Sequence, residues 1–137
     1  MGFEKFGSVS FTTEAKTAEF VTYLERGKVM ATRCQKCQAS YFPPSMDCPK
    51  CLVSDMEWFE TKGSGKLTTY TVVNYGPTGF ENDTPYILAI AEFEDGIKIF
   101  GRLSHNIKVS DIKIGMRLKV ISVKLSDGRV SYEFRND

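Results

Sequence analysis

Four cysteines in two close pairs constrain this chain more than any other feature of its sequence. They lie in Cys34-Gln35-Lys36-Cys37 and Cys48-Pro49-Lys50-Cys51, with ten residues between the pairs, and they are the chain's only cysteines. A Cys-x-x-Cys segment wraps a turn so that both sulfurs point inward, and two such turns present four thiolates at the corners of a tetrahedron. The pattern therefore predicts one structural Zn²⁺ per chain, bound by Cys34, Cys37, Cys48 and Cys51.

Four thiolates fill the coordination shell of zinc, so we expect the metal to stabilise residues 28–61 and to take no part in chemistry. Three other uses of the cysteines stay open. Disulfides need an oxidising compartment, rubredoxin-like iron would imply electron transfer, and a thiol–disulfide oxidoreductase needs one reactive pair near a βαβ unit. Nearby cations are predicted to offset the −2 charge of a four-thiolate zinc site: Lys28, Arg33, Lys36 and Lys50.

The rest of the chain is predicted to be mainly β, with an N-terminal helix, a rubredoxin-like zinc ribbon and a C-terminal five-stranded OB-fold barrel. A helix is predicted over residues 13–26, with Thr12 or Thr13 as the cap, Glu14 in its first turn and Gly27 as the stop. We divide the chain into a helical segment (1–27), the ribbon (28–62) and the barrel (63–137). The predicted strands are Lys28–Arg33, Ser40–Phe42, Glu57–Thr61, Leu67–Tyr75, Tyr86–Phe93, Ile97–Leu103, Met116–Leu125 and Val130–Phe134.

Charge is uneven along a chain whose formal net charge is only +1. Residues 28–51 carry +3, residues 52–97 carry −6 and residues 98–137 carry +5. This balance argues against a protein that coats nucleic acid. No apolar run approaches the roughly 20 residues that span a bilayer, and residues 1–6 lack the layout of a signal peptide. We therefore expect a soluble cytoplasmic protein.

The sequence resembles the zinc-ribbon/OB-fold acyl-CoA-associated proteins, a family long catalogued as a domain of unknown function. The resemblance spans about residues 12–134. Its signature continues after the cysteine pairs into Gly63-x-Gly65 and Leu67–Val73. Two positions depart from the family: Ser45 stands where Arg is frequent, and Leu52 stands where Gly is common. The other segments that carry the resemblance are Tyr41-Phe42-Pro43-Pro44, Glu57-Trp58, Pro85-Tyr86 and Ile114-Gly115-Met116.

The resemblance implies a cytoplasmic, non-catalytic accessory protein. Family members accompany thiolase-type condensing enzymes, and in archaea a thiolase with a hydroxymethylglutaryl-CoA synthase; others pair with aldolases or hydratases acting on CoA thioesters. The implied role is to bridge such enzymes and to hold the CoA moiety of acyl-CoA. Phosphates attract Lys or Arg, adenine fits an aromatic slot, and glycines allow close approach of backbone amides. The candidate CoA-binding residues are Lys62, Gly63, Gly65, Lys66, Tyr75, Phe80 and Arg102, and the loop Gly76–Thr84 is a candidate as a unit.

Two other function classes stay open. OB barrels bind single-stranded nucleic acid with basic grooves and stacking aromatics, and Tyr70, Tyr75, Tyr86 and Phe100 could stack. Residues 52–137 carry only −1, however, which is a poor footprint for a polyanion. An independent enzyme is the second alternative, but the single histidine, His105, stands in a turn region and no nucleophile–base–orienter set is readable. A membrane partner is not expected.

Overall fold

A computed structural model describes residues 2–8 and 15–137, and it contains one helix and eight strands in that part of the chain. Three single-turn 3-10 helices at Phe3–Lys5, Glu81–Asp83 and Val109–Asp111 connect the larger elements. Helix α1 spans Glu19–Glu25. The strands are β1 Met30–Cys34, β2 Ser40–Tyr41, β3 Met56–Glu60, β4 Gly65–Val73, β5 Tyr86–Glu92, β6 Lys98–Leu103, β7 Arg117–Lys124 and β8 Val130–Asn136.

The helix is shorter than the sequence predicts. It begins at Glu19 instead of residue 13, because residues 16–18 form a turn, and the predicted capping residues 12–14 lie outside the described residues. Gly27 follows the helix in the left-handed conformation, with φ of 82°, as predicted. The apolar side of α1 is buried through Phe20, Val21 and Leu24, so the predicted stripe packs on the protein's own body.

The first three strands form a small antiparallel sheet in the order β2-β1-β3. Its centre, β1, pairs with β3 over five residues and with β2 over two. Thr32 on β1 is fully buried, and its hydroxyl satisfies both backbone groups of Ser45: Thr32 Oγ1 donates to the carbonyl at 2.8 Å and accepts from the amide at 2.9 Å. Ser45 thus anchors the loop between the two cysteine pairs.

The last five strands close a barrel in the order β4-β5-β6-β8-β7, which confirms the predicted OB-fold. All neighbours are antiparallel except β6 and β8. The long ladders are β4–β5 and β7–β8, with seven residue pairs each, whereas β4–β7 and β6–β8 have two pairs each. Asp-Gly turns at Gly96 and Gly128 form the predicted hairpins, with φ of 76° and 84°.

The barrel core is apolar and nearly sealed from solvent. Gly101 faces it where an added Cβ would stand 3.0 Å from Tyr132 and 3.1 Å from Phe134, so only glycine lets β6 lie this close to β8. The predicted division at residues 27/28 and 62/63 stays a prediction, since α1 contacts β1 of the ribbon as well as β7 and β8 of the barrel. The most buried barrel residues are Leu67, Ala89, Ala91, Ile99, Leu118 and Phe134.

Candidate functional site: a four-cysteine metal centre and the barrel clefts

The four predicted metal ligands converge at one edge of the ribbon sheet. Their sulfur atoms all lie within 4.8 Å of one another, and Cys37 Sγ lies 3.7 Å from Cys48 Sγ. A tetrahedral zinc with bonds of about 2.3 Å needs sulfur–sulfur edges of about 3.8 Å. The cluster is therefore already shaped for a metal ion of this kind, and the four cysteines form a metal-binding site of the zinc-ribbon type.

Both cysteine pairs are held by the same backbone turn. The Gln38 amide donates to the Cys34 carbonyl, and the Leu52 amide donates to the Cys48 carbonyl, each at 2.8 Å. Gln38 and Leu52 take positive φ values of 64° and 56°. The left-handed residue after each pair turns the chain away and leaves the sulfurs facing inward, and glycine adopts this conformation without strain.

The electrostatics of the cluster favour a bound cation. The Tyr41 hydroxyl lies 3.3 Å from Cys48 Sγ, and this hydrogen bond is the main cause that lowers the pKa of the Cys48 thiol to about 6. The pKa of Cys51 is raised to about 12, chiefly by its hydrogen bond to Cys37 and then by burial. Crowded sulfurs thus resist complete ionisation without a cation, and a divalent metal removes that resistance.

Of the four predicted counter-cations, Arg33 has contacts of its own within the ribbon. Arg33 lies with its guanidinium carbon 4.2 Å from the centre of the Phe59 ring and donates from Nε to Ser40 Oγ at 3.3 Å. These contacts fix Arg33 in the ribbon through a cation–π interaction and a hydrogen bond.

The seven candidate CoA residues fall into separate places. Four surround the start of β4, where acids accompany them: Lys62 pairs with Glu60 at 3.7 Å, and Lys66 stands beside Glu92 in the sheet register. The Glu94 carboxylate packs against Gly63, within 3.3 Å of where a Cβ would stand. These carboxylates oppose an anionic ligand.

Gly65 has a packing reason of its own. A Cβ at this position would stand 2.6 Å from the Phe93 ring, so the residue must be glycine for Phe93 to enter the barrel. This close approach accounts for part of the predicted Gly63-x-Gly65 motif without any ligand.

Phe80 and Arg102 do lie close together, near the end of β5 where Tyr86 begins the strand. The Arg102 guanidinium lies 4.4 Å above the Tyr86 ring and 5.9 Å from the Phe80 ring, and it pairs with Asp83 at 3.3 Å. Register places Lys66 opposite Glu92 and Arg102 opposite Leu88, so roughly 13 Å of β5 separates the two groups. Arg102, Phe80 and Asp83 line a cleft of about 480 Å³.

The aromatic candidates differ in accessibility. Tyr75 is 94% exposed, whereas Tyr86 is buried beneath Arg102 and cannot stack on a base. Phe100 is 54% exposed on the outer face of β6. On the neighbouring strand β5, Ile90 lies opposite Phe100 and Leu88 lies opposite Arg102, and both side chains point to the same outer face.

Sequence reasoning missed a groove between the β4–β5 loop and the segment after β6. It has a volume of about 450 Å³ and lies directly beyond the Tyr86–Arg102 stack. Its lining comes from two segments about 30 positions apart, so no single local motif could reveal it. The lining residues are Val72, Asn74, Pro85, Tyr86, Ile87, Leu103, Ser104, His105, Ile107, Lys108 and Val109.

In the part of the chain that the structure describes, no helix has the length and apolar character needed to cross a membrane.

Two family models match adjacent stretches of the chain. The rubredoxin-like zinc ribbon domain of ChsH2 matches residues 22–57, and the C-terminal OB-fold domain of ChsH2 matches residues 58–122. The join between them coincides with β3 of the ribbon sheet. Together they cover the metal centre and most of the barrel.

Two curated relatives named scaffold proteins match over most of their own length. The DUF35 domain-containing scaffold protein of Methanocaldococcus jannaschii is 34% identical over 116 residues, which is 81% of this chain and 82% of the relative. A scaffold protein of the same name from Pyrococcus furiosus is 32% identical, over 73% of this chain and 77% of the relative. A probable enoyl-CoA hydratase alpha subunit of Thermomonospora curvata is 31% identical over 65% of this chain, which is only 27% of that protein.

Solved structures share the architecture. The Ltp2-ChsH2(DUF35) aldolase superposes with a TM-score of 0.76 at 25% identity, covering 93% of this chain and 98% of the matched chain. A protein of unknown function from the DUF35 family of Sulfolobus solfataricus gives 0.57 at 19% identity, over 88% and 87% of the two chains. The second likeness speaks for the fold alone.

Proposed function

The chain belongs to the DUF35 family, and from that premise we propose that it is a non-catalytic scaffold subunit that docks on an enzyme acting on acyl-CoA. A thiolase or a hydroxymethylglutaryl-CoA synthase is the partner that we expect. The observation that carries the proposal is the match along 93% of the chain to a DUF35 protein whose structure is named as part of an aldolase. The curated relatives named scaffold proteins support the same role.

The metal centre supports a structural role. Four cysteines provide a complete tetrahedral shell, so a bound ion has no open position for substrate. We propose that the ion is zinc, one per chain. A reducing compartment such as the cytoplasm keeps such thiolates available for the metal.

The remaining chemistry argues against an independent enzyme. His105 is the chain's single histidine; it is exposed and makes no hydrogen bond to another described residue, so no neighbour orients it as a base. The four cysteines are engaged with one another in the metal cluster. A scaffold needs neither a base nor a nucleophile.

The barrel supplies a docking face. Phe100, Ile90 and Leu88 point outward side by side on β5 and β6, and exposed aromatics of this kind are enriched in protein interfaces. The CoA moiety would then be held at the nearby end of the barrel, where Arg102 and Phe80 lie together. The cluster at Lys62 and Lys66 is a weaker candidate, since Glu60, Glu92 and Glu94 accompany it.

Affinity purification from the native source, followed by mass spectrometry of bound proteins, tests the proposal. We expect a stoichiometric acyl-CoA condensing enzyme, or another enzyme of CoA thioesters. Phe100→Asp should abolish that association, whereas Tyr75→Asp, the same change at a more exposed aromatic residue outside the outward row of β5 and β6, should leave it intact. Turnover of an acyl-CoA by the isolated chain would refute the non-catalytic role. Binding of single-stranded oligonucleotide without such an enzyme would favour the nucleic-acid alternative.

A further inference from the structure

One edge of β4 is left without a neighbouring strand along most of its length. The strand pairs with β5 over seven residues, but with β7 only at its first two. Leu67 still bonds on the β7 side, where its amide donates to the Met116 carbonyl and its carbonyl accepts from the Gly115 amide. From Thr69 to Val73, no backbone group bonds to any described residue on that side. We call this stretch, Thr69–Val73, the open edge of β4.

The alternation of hydrogen bonds identifies the backbone groups that the open edge presents. Along an antiparallel strand, successive residues bond to the neighbour on one side and then on the other. Counted from the Phe93 amide, which bonds across the β5–β6 hairpin, Thr69 and Thr71 are the residues whose backbone groups bond to β5. The amides and carbonyls of Tyr70 and Val72 therefore point to the open side.

The open edge lacks the devices that normally keep an edge strand unpaired. Such strands are shielded by charged side chains, by proline, by bulges or by a covering segment. Residues 68–73 read Thr-Thr-Tyr-Thr-Val-Val, all strand-forming residues without a charge or a proline. Thr69, Tyr70 and Thr71 are exposed, and the bulge of β4 comes just before them. The stretch is thus a ready template for another strand.

The gap between β6 and β8 shows how the same chain shields an edge. There the Tyr132 hydroxyl donates to the Phe100 carbonyl at 2.7 Å, and the exposed Lys98 adds a charge to β6. On β8 the Val130 carbonyl accepts from the Gly7 amide at 2.8 Å. The lack of comparable shielding on β4 is therefore a distinct property of that strand.

The pattern of the open edge is complementary to itself. When two copies of β4 meet antiparallel about a two-fold axis at Thr71, the backbone groups of Tyr70 in each copy face those of Val72 in the other. The cross-strand pairs are then Thr71 with Thr71 and Tyr70 with Val72, and threonine pairs and aromatic–β-branched pairs both favour association. No like charges meet, because residues 67–73 carry none.

We propose that two copies of this chain pair through the open edge of β4. Strands β4, β5 and β6 of both copies then form one antiparallel sheet of six strands. The two-fold axis is perpendicular to that sheet, so Phe100 and Ile90 of both copies lie on the same side of it. The self-complementary pattern favours a second copy over an unrelated strand, and the inference does not depend on the proposed function.

The oligomeric state of the zinc-loaded full-length chain tests the proposal. Sedimentation velocity over a wide range of protein concentrations should show a monomer–dimer equilibrium. Thr71→Lys places two like charges opposite each other at the axis, so it should raise the dissociation constant of the dimer at least tenfold. Ser126→Lys is the matched control, since it adds the same charge at an exposed hydroxyl residue in the β7–β8 turn, and it should change that constant less than twofold.

A charge exchange tests the register of the two strands. Thr71→Glu alone should also weaken the dimer at least tenfold. An equal mixture of Thr71→Lys and Thr71→Glu chains should associate at least tenfold more tightly than either variant alone, because opposite charges then meet at the axis. Circular dichroism of each variant confirms that it remains folded.

Each other outcome would overturn the proposal. A wild-type chain that stays monomeric at every concentration does not pair through β4. A dimer that Thr71→Lys leaves intact has its interface elsewhere. If both charged variants lose the dimer and their mixture does not recover it, the two-fold register at Thr71 is wrong. If the wild-type chain is monomeric and Thr71→Lys instead loses a co-purifying enzyme, the open edge accepts a strand of that enzyme.

Discussion

Leu52 is held in a backbone conformation that its side chain disfavours. Its φ is 56°, and 86% of its surface is exposed, so little packing energy offsets the left-handed conformation. An L-residue in this conformation costs about 1–2 kcal/mol relative to the right-handed one. Leu52 nevertheless adopts this conformation because its amide must reach the Cys48 carbonyl to close the turn around the second cysteine pair.

Leu52→Gly should therefore stabilise the protein. We expect a gain of about 0.5–1 kcal/mol in the free energy of unfolding, since relief of the left-handed conformation exceeds the extra backbone entropy of glycine in the unfolded chain. Urea denaturation of the zinc-loaded chain measures it. Leu52→Ala is the control, because it removes the exposed side chain but keeps the strain. An equal gain in both variants would show that the backbone conformation is not the cause.

At the scale of the elements, sequence pattern located the strands but not their ends. The Thr- and Val-rich run of β4 and the two Asp-Gly turns are local signals, and local signals were enough for the barrel. The predicted start of the helix was wrong because only Phe20, Tyr23 and Leu24 show helical spacing of apolar residues, and they span less than two turns. Tertiary packing, and not propensity, decides so short a helix.

The candidate sites show the same contrast. The metal centre was predictable because two Cys-x-x-Cys segments encode their own geometry within four residues each. The groove with Ser104 and Lys108 was not, since two loops meet there only after the barrel has closed. Gly65 was given an anion-binding interpretation because the ring of Phe93, 28 residues away, is invisible to a local pattern.

The ribbon sheet should depend on its metal. Its three strands are short, and residues 28–61 bury few large apolar side chains of their own. Removing zinc with a chelator should unfold these residues, because metal binding supplies much of the folding free energy of such a unit. Hydrogen exchange followed by mass spectrometry should show loss of protection in peptides from residues 28–61, restored by added Zn²⁺. Unchanged exchange and an unchanged melting temperature after metal removal would contradict this expectation.

At the scale of the whole molecule, five aromatic rings join all parts of the chain. We call this cluster the aromatic junction: Phe3 and Phe6 from the N-terminal segment, Phe20 from α1, Phe42 from the ribbon and Tyr132 from β8. Phe20 lies at its centre, with ring-centre distances of 5.9–6.3 Å to the other four. Burial also raises the pKa of Tyr132 to about 12, so its hydroxyl stays protonated even in mildly alkaline solution.

Phe20→Ala should loosen that connection. Phe20 is 3% exposed, and removing a buried phenyl ring typically costs about 3–5 kcal/mol. We expect a loss of this size in calorimetry, with the ribbon and the barrel melting in separate transitions. Phe100→Ala is the matched control, since its ring is half exposed and its loss should cost under about 0.5 kcal/mol. A loss below about 1 kcal/mol for Phe20→Ala would show that other contacts hold the parts together.

The two short ladders of the barrel have a mechanical consequence. Seven-pair ladders bind β4 to β5 and β7 to β8, but only two residue pairs each join β4 to β7 and β6 to β8. The barrel thus consists of two strongly paired groups of strands, β4–β5–β6 and β7–β8, which are joined to each other only by the two short ladders. The first group carries the groove, and the second group carries the contacts with α1. Shear along the two short ladders would therefore move the groove as a unit relative to the strands that carry the helix, without changing the shape of the groove.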